Sequence, residues 1–328
     1  MPVAAMLQLT ARCNLRCRHC YQLRRRLREL TTREWICLLE DLVEAGVLFL
    51  TLSGGEPLLR RDFFRIAERA RALRFSLSLK TNGLLLDRSA ADRIGRLAFL
   101  EVEMSLYSSR AREHDAVTGL AGSHRGLLRA ARMLARRSVG VVMSTPLMTL
   151  NADDVDAIVS LCESEGFQFR MDPSLCVRED GGCNPAALRM DPDQLRAVFS
   201  NPRLVNARAA RRTARRRSLS DRVCGAGRTS SLVTPDGDVL ICPLIPIPLG
   251  NVRARSFRDI WISSPLRASV DALTWGDLEG CSACDLMPWC TRCHGNALVE
   301  DGCLTGPSRL ACAAAAALRD AAGRRRPG

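Results

Sequence analysis

The sequence has almost no lysine. Of 48 basic residues, 47 are arginine and Lys80 is the sole lysine. Such a skew reflects a GC-rich coding bias more than a selected binding surface. The formal net charge of +13 comes without a strip of interleaved aromatic and basic residues, which argues against nucleic acid as a partner. A basic surface still attracts an acidic peptide or an acidic electron carrier. No apolar run approaches the roughly 20 residues that a bilayer-spanning helix needs, so no membrane association is expected. The first residues, MPVAAMLQLTARC, lack the basic n-region and cleavage pattern of a secretory signal, and no separate leader-peptide domain is expected before Met6. The expected location is the cytoplasm. In that reducing compartment 15 cysteines serve metal binding or catalysis rather than a disulfide framework. Wholesale disorder is excluded by 47% hydrophobic and 25% charged residues, and 328 residues suggest about two domains.

The cysteines are unevenly placed. Cys13, Cys17 and Cys20 fall in one short loop, and Cys224, Cys242, Cys281, Cys284, Cys290, Cys293, Cys303 and Cys312 fill the last third. Between them stand only Cys37, Cys162, Cys176 and Cys183. Cys37 and Cys162 lie on helical patterns and are expected to be buried small hydrophobes. Cys176 and Cys183 follow the sixth predicted strand, in PSLCVREDGGCNP.

The cysteine-poor stretch alternates strand and helix. Strands are predicted at 3–9, 47–53, 75–81, 99–107, 139–145 and 167–173. TTREWICLLEDLVEAG has a capping box at Thr31 and Glu34, an apolar face at Trp35, Leu38, Leu39 and Leu42, and Gly46 as a stop. RDFFRIAERARAL, Arg125 to Arg136 and ADDVDAIVSLCESEG behave similarly. Six such repeats predict an α/β fold, a partial (β/α)6 TIM-like barrel of parallel strands, with function at the C-terminal strand ends.

Cys13-Asn-Leu-Arg-Cys17-Arg-His-Cys20 follows the first strand directly. Three thiolates in one loop can ligate three irons of a cubane and leave the fourth open to a second molecule. A structural zinc site wants four ligands, which His19 could complete. This motif resembles that of the radical S-adenosylmethionine (SAM) enzymes. The resemblance extends to Ser53-Gly54-Gly55-Glu56-Pro57 at the end of the second strand, Thr81-Asn82-Gly83 after the third, and Ser105 and Tyr107 at the fourth. It implies that Cys13, Cys17 and Cys20 hold a [4Fe–4S] cluster, and that Glu56 and the backbone of Ser53, Gly54 and Gly55 hold the methionine part of SAM. Asn82 and Ser105 would lie near its ribose and carboxylate, and His19 near its adenine. His114 and Asp115 are expected to be structural. The implied chemistry is reductive cleavage of SAM to a 5′-deoxyadenosyl radical that takes hydrogen from a substrate carbon.

The C-terminal order, Cys224-Gly-Ala-Gly-Arg, Pro235-Asp-Gly237 with Cys242, Cys281-x-x-Cys284, Cys290-x-x-Cys293 and Cys312, resembles the SPASM domain, which holds auxiliary iron–sulfur clusters. A zinc ribbon is the plainer alternative. The resemblance assigns Cys281, Cys284, Cys290 and Cys312 to one cluster and Cys224, Cys242 and Cys293 to an inner one, whose fourth position is open or filled by Cys176, Cys183 or Cys303. Domains are accordingly expected at 1–200 (barrel), 201–222 (Arg-rich linker), 223–315 (SPASM) and 316–328 (disordered tail). Three clusters would lower the net charge from +13 to roughly +9.

The expectation is a peptide maturase that forms a thioether or carbon–carbon crosslink in a ribosomally made precursor peptide. Its electron donor would be a flavodoxin or ferredoxin, and a separate leader-peptide-binding protein could assist. Alternatives are formylglycine formation as in sulfatase maturation, maturation of a small cofactor (haem or quinone), and, in another class, a zinc-binding nucleic-acid-binding protein.

Overall fold

The structure, a computed structural model, describes residues 1–23, 27–204 and 217–323. Six strands, β1 (Ala4–Gln8), β2 (Phe49–Ser53), β3 (Ser76–Lys80), β4 (Glu101–Ser105), β5 (Val141–Pro146) and β6 (Gln168–Asp172), pair in parallel with their sequence neighbours. Successive side chains of a strand alternate between faces. Leu7, Leu50, Leu52, Leu77, Leu79, Val102 and Met104 form one face and are buried in the main core. The register puts Gln8, Ser53, Lys80 and Glu103 together on the opposite, polar face. There Lys80 Nζ donates to Glu103 Oε1 at 2.7 Å, and Arg170 Nη1 donates to Glu103 Oε2 at 2.8 Å. The single lysine is thus part of a charge ladder across three strands.

Helices α1 (Thr32–Glu44), α2 (Phe63–Ala72), α3 (Arg88–Arg96), α5 (Ser123–Ala135) and α6 (Val155–Glu165) cover the apolar face, whereas α4 (Ala111–Thr118) and α7 (Pro192–Ser200) pack in separate clusters. The predicted capping box of α1 is present. Thr31 N donates to Glu34 Oε2 at 2.7 Å, and Glu34 N donates to Thr31 Oγ1 at 3.3 Å. Trp35, Leu38, Leu39 and Leu42 form the buried stripe. Cys37 does not join it and is exposed, contrary to the sequence expectation, whereas Cys162 is buried. Two residues beyond Trp35 is about 200° around a helix at 3.6 residues per turn, so Cys37 faces away from the stripe.

The sheet does not end where the barrel does. The hairpin of β7 (Ser230–Val233) and β8 (Asp238–Leu240) turns at Thr234 to Gly237 and continues to β9 (Gly250–Asn251). β7 pairs in parallel with β1, Ala4 opposite Ser230 and Leu7 opposite Val233. One open nine-stranded sheet, β6-β5-β4-β3-β2-β1-β7-β8-β9, therefore runs across the expected domain boundary. Beyond it lie α8 (Phe257–Ser263), α9 (Pro265–Ala272), α10 (His294–Asp301) and α11 (Arg309–Gly323). Phe257, Ile260 and Trp261 join the main core.

The tail expected to be disordered from 316 is helical to Gly323. Its alanine run has high helix propensity, and Ala314, Ala317 and Ala321 bury a small-residue face against Leu195, Val198 and Phe199 of α7. Within the expected Arg-rich linker, 205–216 lies outside the described residues, as does 324–328. Arg217 lies over the Trp275 ring at 4.8 Å and donates to the Met287 and Cys290 carbonyls.

Candidate active site and cluster sites

Cys13, Cys17 and Cys20 sit on the loop leaving β1, at the C-terminal ends of the parallel strands. The loop is held from two sides. Arg16 N donates to Thr118 O and Arg18 N to Val117 O, both at 3.0 Å, so the end of α4 fixes its outer part. Thr10 Oγ1 and Ala11 N donate to Glu29 Oε1 at 2.6 and 3.0 Å and fix its base. Arg60, 8% exposed, ties the exit of β1 to Leu30 and Asp62 through Leu9 O, Leu30 O and the Asp62 carboxylate. Burial, and then the neighbouring Cys20 and Cys13 thiols, push Cys17 up to about 12, against a lowering hydrogen bond from Tyr107. Binding iron would displace that proton, as thiolate ligation requires.

The two glycines of Ser53-Gly54-Gly55-Glu56, which the sequence reading takes to permit close backbone approach to the ligand, permit a close approach of another kind. A Cβ on Gly54 would stand 2.5 Å from Thr10 O, and one on Gly55 would stand 2.3 Å from Arg12 O. Gly54 also has φ +133°, a conformation side chains disfavour. Leu9 N to Ser53 O, Gly55 N to Thr10 O and Glu56 N to Arg12 O, each 2.8 Å, bind this segment edge to edge against the stretch leading to Cys13. The close approach seen here is therefore to the cysteine loop.

Glu56 is fully buried. Its Oε1 accepts from Leu58 N at 3.0 Å and Thr81 Oγ1 at 2.8 Å, and its Oε2 accepts from Asn82 N at 2.7 Å. Burial pushes the carboxyl pKa up, and these donors oppose the shift. Glu56 thus locks the end of β2 to the end of β3. Asn82 in turn reaches the loop, its Nδ2 2.7 Å from Asn14 Oδ1 and 4.0 Å from Cys13 Sγ.

Behind the loop, His19, Tyr107, His114 and the unpredicted His124 form a chain of tilted and edge-on ring contacts. His19 lies 4.7 Å from Tyr107 between ring centroids, Tyr107 5.2 Å from His114, and His114 5.4 Å from His124. Tyr107 Oη is bonded to Cys17 Sγ at 3.9 Å and to the Ser105 side chain. Burial lowers His19 to about 4 and His114 to about 4, so both imidazoles are neutral near pH 7. His19 Nδ1 is buried and has no partner among the described residues, a donor or acceptor open to a bound group. Asp115 accepts from Gly122 N, Ser123 Oγ and His124 N and so caps α5, a structural role. Sequence reasoning missed Asn151 and Asp154. Asn151 Nδ2 donates to Tyr107 O at 3.0 Å, and Asp154 accepts from Ser108 and Ser109, which fixes the turn after β4. Asn-Ala-Asp-Asp before a helix carries only a capping signal, so nothing local betrays this role.

The C-terminal cysteines divide into two groups. Cys290, buried, is raised to about 11 by burial and then by Cys312 and Cys281; Cys312 is raised by burial and then by Cys281 and Cys284. Cys242 is raised to about 11 by burial, with Cys293 and Cys224 adding to it, and Cys224 is raised by burial and by Cys293. Arg292, 3% exposed, sits between the groups and lowers both Cys224 and Cys312. It is fixed by bonds to Leu304 O, Gly306 O and His294 Nδ1. Cys303 stands apart, its Sγ accepting from Gly306 N at 3.2 Å, and Cys183 is exposed. Among the described residues no three His, Cys, Asp or Glu side chains converge tightly enough for a single metal ion. The soft, thiol-only donor sets fit iron–sulfur clusters, and the unpartnered His19 nitrogen beside the loop fits a polar ligand there.

Residues 7–162 match the radical SAM superfamily, and residues 224–294 match SPASM, an iron–sulfur cluster-binding domain. The chain is a radical SAM enzyme with a SPASM domain. Its cofactors are SAM, a [4Fe–4S] cluster and auxiliary iron–sulfur clusters, which replaces the zinc reading. A pre-heme d1 synthase of Dinoroseobacter shibae is 38% identical over 161 residues, 48% of this chain and 40% of that protein. A PqqA peptide cyclase of Granulibacter bethesdensis is 26% identical over 334 residues, 94% of this chain and 87% of that protein. The solved structure of anSMEcpe with bound AdoMet shares the fold, with a TM-score of 0.78 at 19% identity over 99% of this chain and 98% of that one. Among the described residues no helix is long and apolar enough to cross a membrane.

Proposed function

We propose that this enzyme matures a ribosomally made precursor peptide by forming a thioether or carbon–carbon crosslink in it. The observation that carries this reading is the likeness to a PqqA peptide cyclase along 94% of the chain, which includes the auxiliary-cluster region as well as the barrel. Cys13, Cys17 and Cys20 hold the reducing cluster. Glu56 and the Ser53–Gly55 backbone form the methionine side of the SAM site, Asn82 and Ser105 the ribose and carboxylate side, and His19 the adenine side. Cys281, Cys284, Cys290 and Cys312 hold the outer auxiliary cluster, and Cys224, Cys242 and Cys293 the inner one.

When bound, SAM and its cluster supply an organic radical able to take hydrogen from an unactivated carbon. The chain contributes orientation and shelter. Glu56 aligns two strand ends, Asn82 reaches to Cys13, and the buried Tyr107 and His114 rings, with the half-buried His19 ring against Tyr107, keep water from the inner side of the loop. A flavodoxin or ferredoxin donates the electron, which suits the net positive surface. A separate leader-binding protein presents the peptide, and the reaction takes place in the cytoplasm.

A second reading, maturation of a haem-type cofactor, draws on the 38% identity to a pre-heme d1 synthase over 161 residues. Co-expression with a short peptide encoded beside the gene, followed by mass spectrometry, separates the two. Loss of two hydrogens from the peptide supports the crosslinking reading. An unmodified peptide, together with SAM-dependent conversion of a tetrapyrrole, supports the other. Formylglycine formation would instead appear as conversion of a single Cys or Ser to an aldehyde.

A further inference from the structure

We propose that Cys176 is the fourth thiolate of the inner auxiliary cluster and completes the set of Cys224, Cys242 and Cys293. The proposal rests on that three-cysteine assignment. The resemblance gives the inner set three thiols and the outer set four, and it leaves the inner fourth position open or to Cys176, Cys183 or Cys303.

The fold distinguishes these three candidates. Cys303 is engaged in its own turn, with Gly306 N and Thr305 Oγ1 on its sulfur. Cys183 is exposed, its Sγ directed to Gly181 O at 3.6 Å. Cys176 makes a like contact, its Sγ 3.7 Å from Ser174 O, but it is half-buried, on the segment that leaves β6 and lies against the C-terminal region. Arg189 anchors this segment. Its Nε donates to Leu175 O at 2.8 Å, and its guanidinium pairs at 2.5 Å with Glu300 of α10, whose side chain is 4% exposed. α10 begins at the residue after Cys293. Cys176 lines a small cavity with Pro243 and Leu244, which follow Cys242, with Asn296 of α10, and with Tyr21, which follows Cys20. The Cys176 thiol is near enough to Cys293 for the two to interact electrostatically. A Cβ on Gly295 would stand 2.4 Å from Leu244 O, so the Cys242 and Cys293 segments are pressed together beside this cavity.

The chemical consequence is specific. With four thiolates the inner cluster has no open iron. It can pass an electron but cannot ligate a substrate thiol. It would also tie the last barrel strand to the SPASM region through iron.

The test uses the full-length, anaerobically reconstituted enzyme carrying Cys13→Ala, Cys17→Ala and Cys20→Ala, so that only auxiliary clusters report. With Cys176 intact, added cyanide should leave the electron paramagnetic resonance spectrum of the reduced clusters unchanged. Adding Cys176→Ala should open one iron: cyanide then shifts the spectrum, and mild oxidation yields a three-iron signal. Cys183→Ala and Cys303→Ala should behave as the parent. A cyanide-induced shift with Cys176 intact overturns the proposal without any variant of that residue. So does an identical, cyanide-insensitive spectrum after Cys176→Ala when Cys224→Ala, made in parallel, abolishes the inner-cluster signal. If Cys224→Ala also changes nothing, the three-cysteine assignment itself is wrong.

Discussion

The two cysteine-rich regions of this protein are built in opposite ways. The loop of Cys13, Cys17 and Cys20 stands on a finished scaffold. Glu29 and Thr10 hold its base, the last turn of α4 holds its outer strand, and the Gly55 and Glu56 amides hold its inner edge. Every one of these contacts is made by the protein alone. The region from Trp275 to Cys312 has single-turn helices at Trp275–Asp277 and Met287–Trp289, the eight-residue α10, and the start of α11, which carries Cys312. Its small core counts Cys290 among its buried members and packs Cys281 against them, beside Trp275 and Leu278. There the cysteines proposed as ligands are part of the core. The difference predicts that iron loads onto an already folded first region and helps to fold the second.

Five changes would break or sharpen this contrast. The largest effect is expected from Cys13→Ala, Cys17→Ala and Cys20→Ala together. SAM cleavage, followed as released 5′-deoxyadenosine, should fall to background, while iron falls by only about four of roughly 8–12 atoms. The barrel should stay folded by circular dichroism. Survival of cleavage would remove the loop from the mechanism.

Removing iron with a chelator under reducing conditions tests the other half. Hydrogen exchange should show lost protection across 274–312, while β1 to β4 keep theirs. Equal loss in both regions would contradict the contrast.

Within the barrel, Glu56→Ala should leave the Thr81 hydroxyl and the Leu58 and Asn82 amides unpaired in a buried site. Each orphaned donor costs about 1–3 kcal/mol, and thermal denaturation should show a drop that Glu56→Gln only partly relieves, because its amide places a donor against Asn82 N–H. Gly55→Ala is expected to cost about 1–3 kcal/mol as an overpacked contact and to lower iron retention of the loop, since the new methyl meets Arg12 O.

The smallest effect concerns the tie between α1 and the C-terminal half. Arg253 pairs with Glu34 at 2.6 Å, and its hydrogen bonds, together with the Thr31 amide, hold the Glu34 carboxyl at about 2 against an ordinary 4.5. A depressed folded pKa stabilises above the unfolded value and loses its effect as pH falls toward 2. An exposed pair of this kind contributes about 0.2–1 kcal/mol. Glu34→Gln should therefore lower the urea midpoint slightly at pH 7, and the difference from the parent should shrink as the pH is lowered.

Much of the barrel was legible because its signals are local. Thr31 and Glu34 mark a helix start, Gly166 marks a stop with φ +71°, and Leu-Ser-Leu at 77–79 alternates as a half-polar strand should. The motif residues were legible because short spacing places them at successive strand ends. Illegible features depend on distant partners. The Thr234 to Gly237 turn announces a hairpin but not that β7 will pair with β1. The alanine run after Cys312 reads as a tail until α7 supplies the surface for Ala317 and Ala321. Asp154 gives no hint that it will fix the turn at Ser108. Cys37 is a different case: its exposure follows from its angle to Trp35, a local fact that the helical pattern already contained.

The sequence by itself determined the order of strands and helices, the three-cysteine loop at the end of the first strand and the chemistry of its donors, because periodicity, capping and ligand spacing act within a few residues. Only the tertiary structure decided that one sheet joins both halves, that Glu56 and the paired glycines brace the loop, and that the Cys176 segment packs against Pro243, Leu244 and α10. Those outcomes turn on burial and on close approach between segments tens to more than a hundred residues apart, and such contacts exist only once the chain has folded.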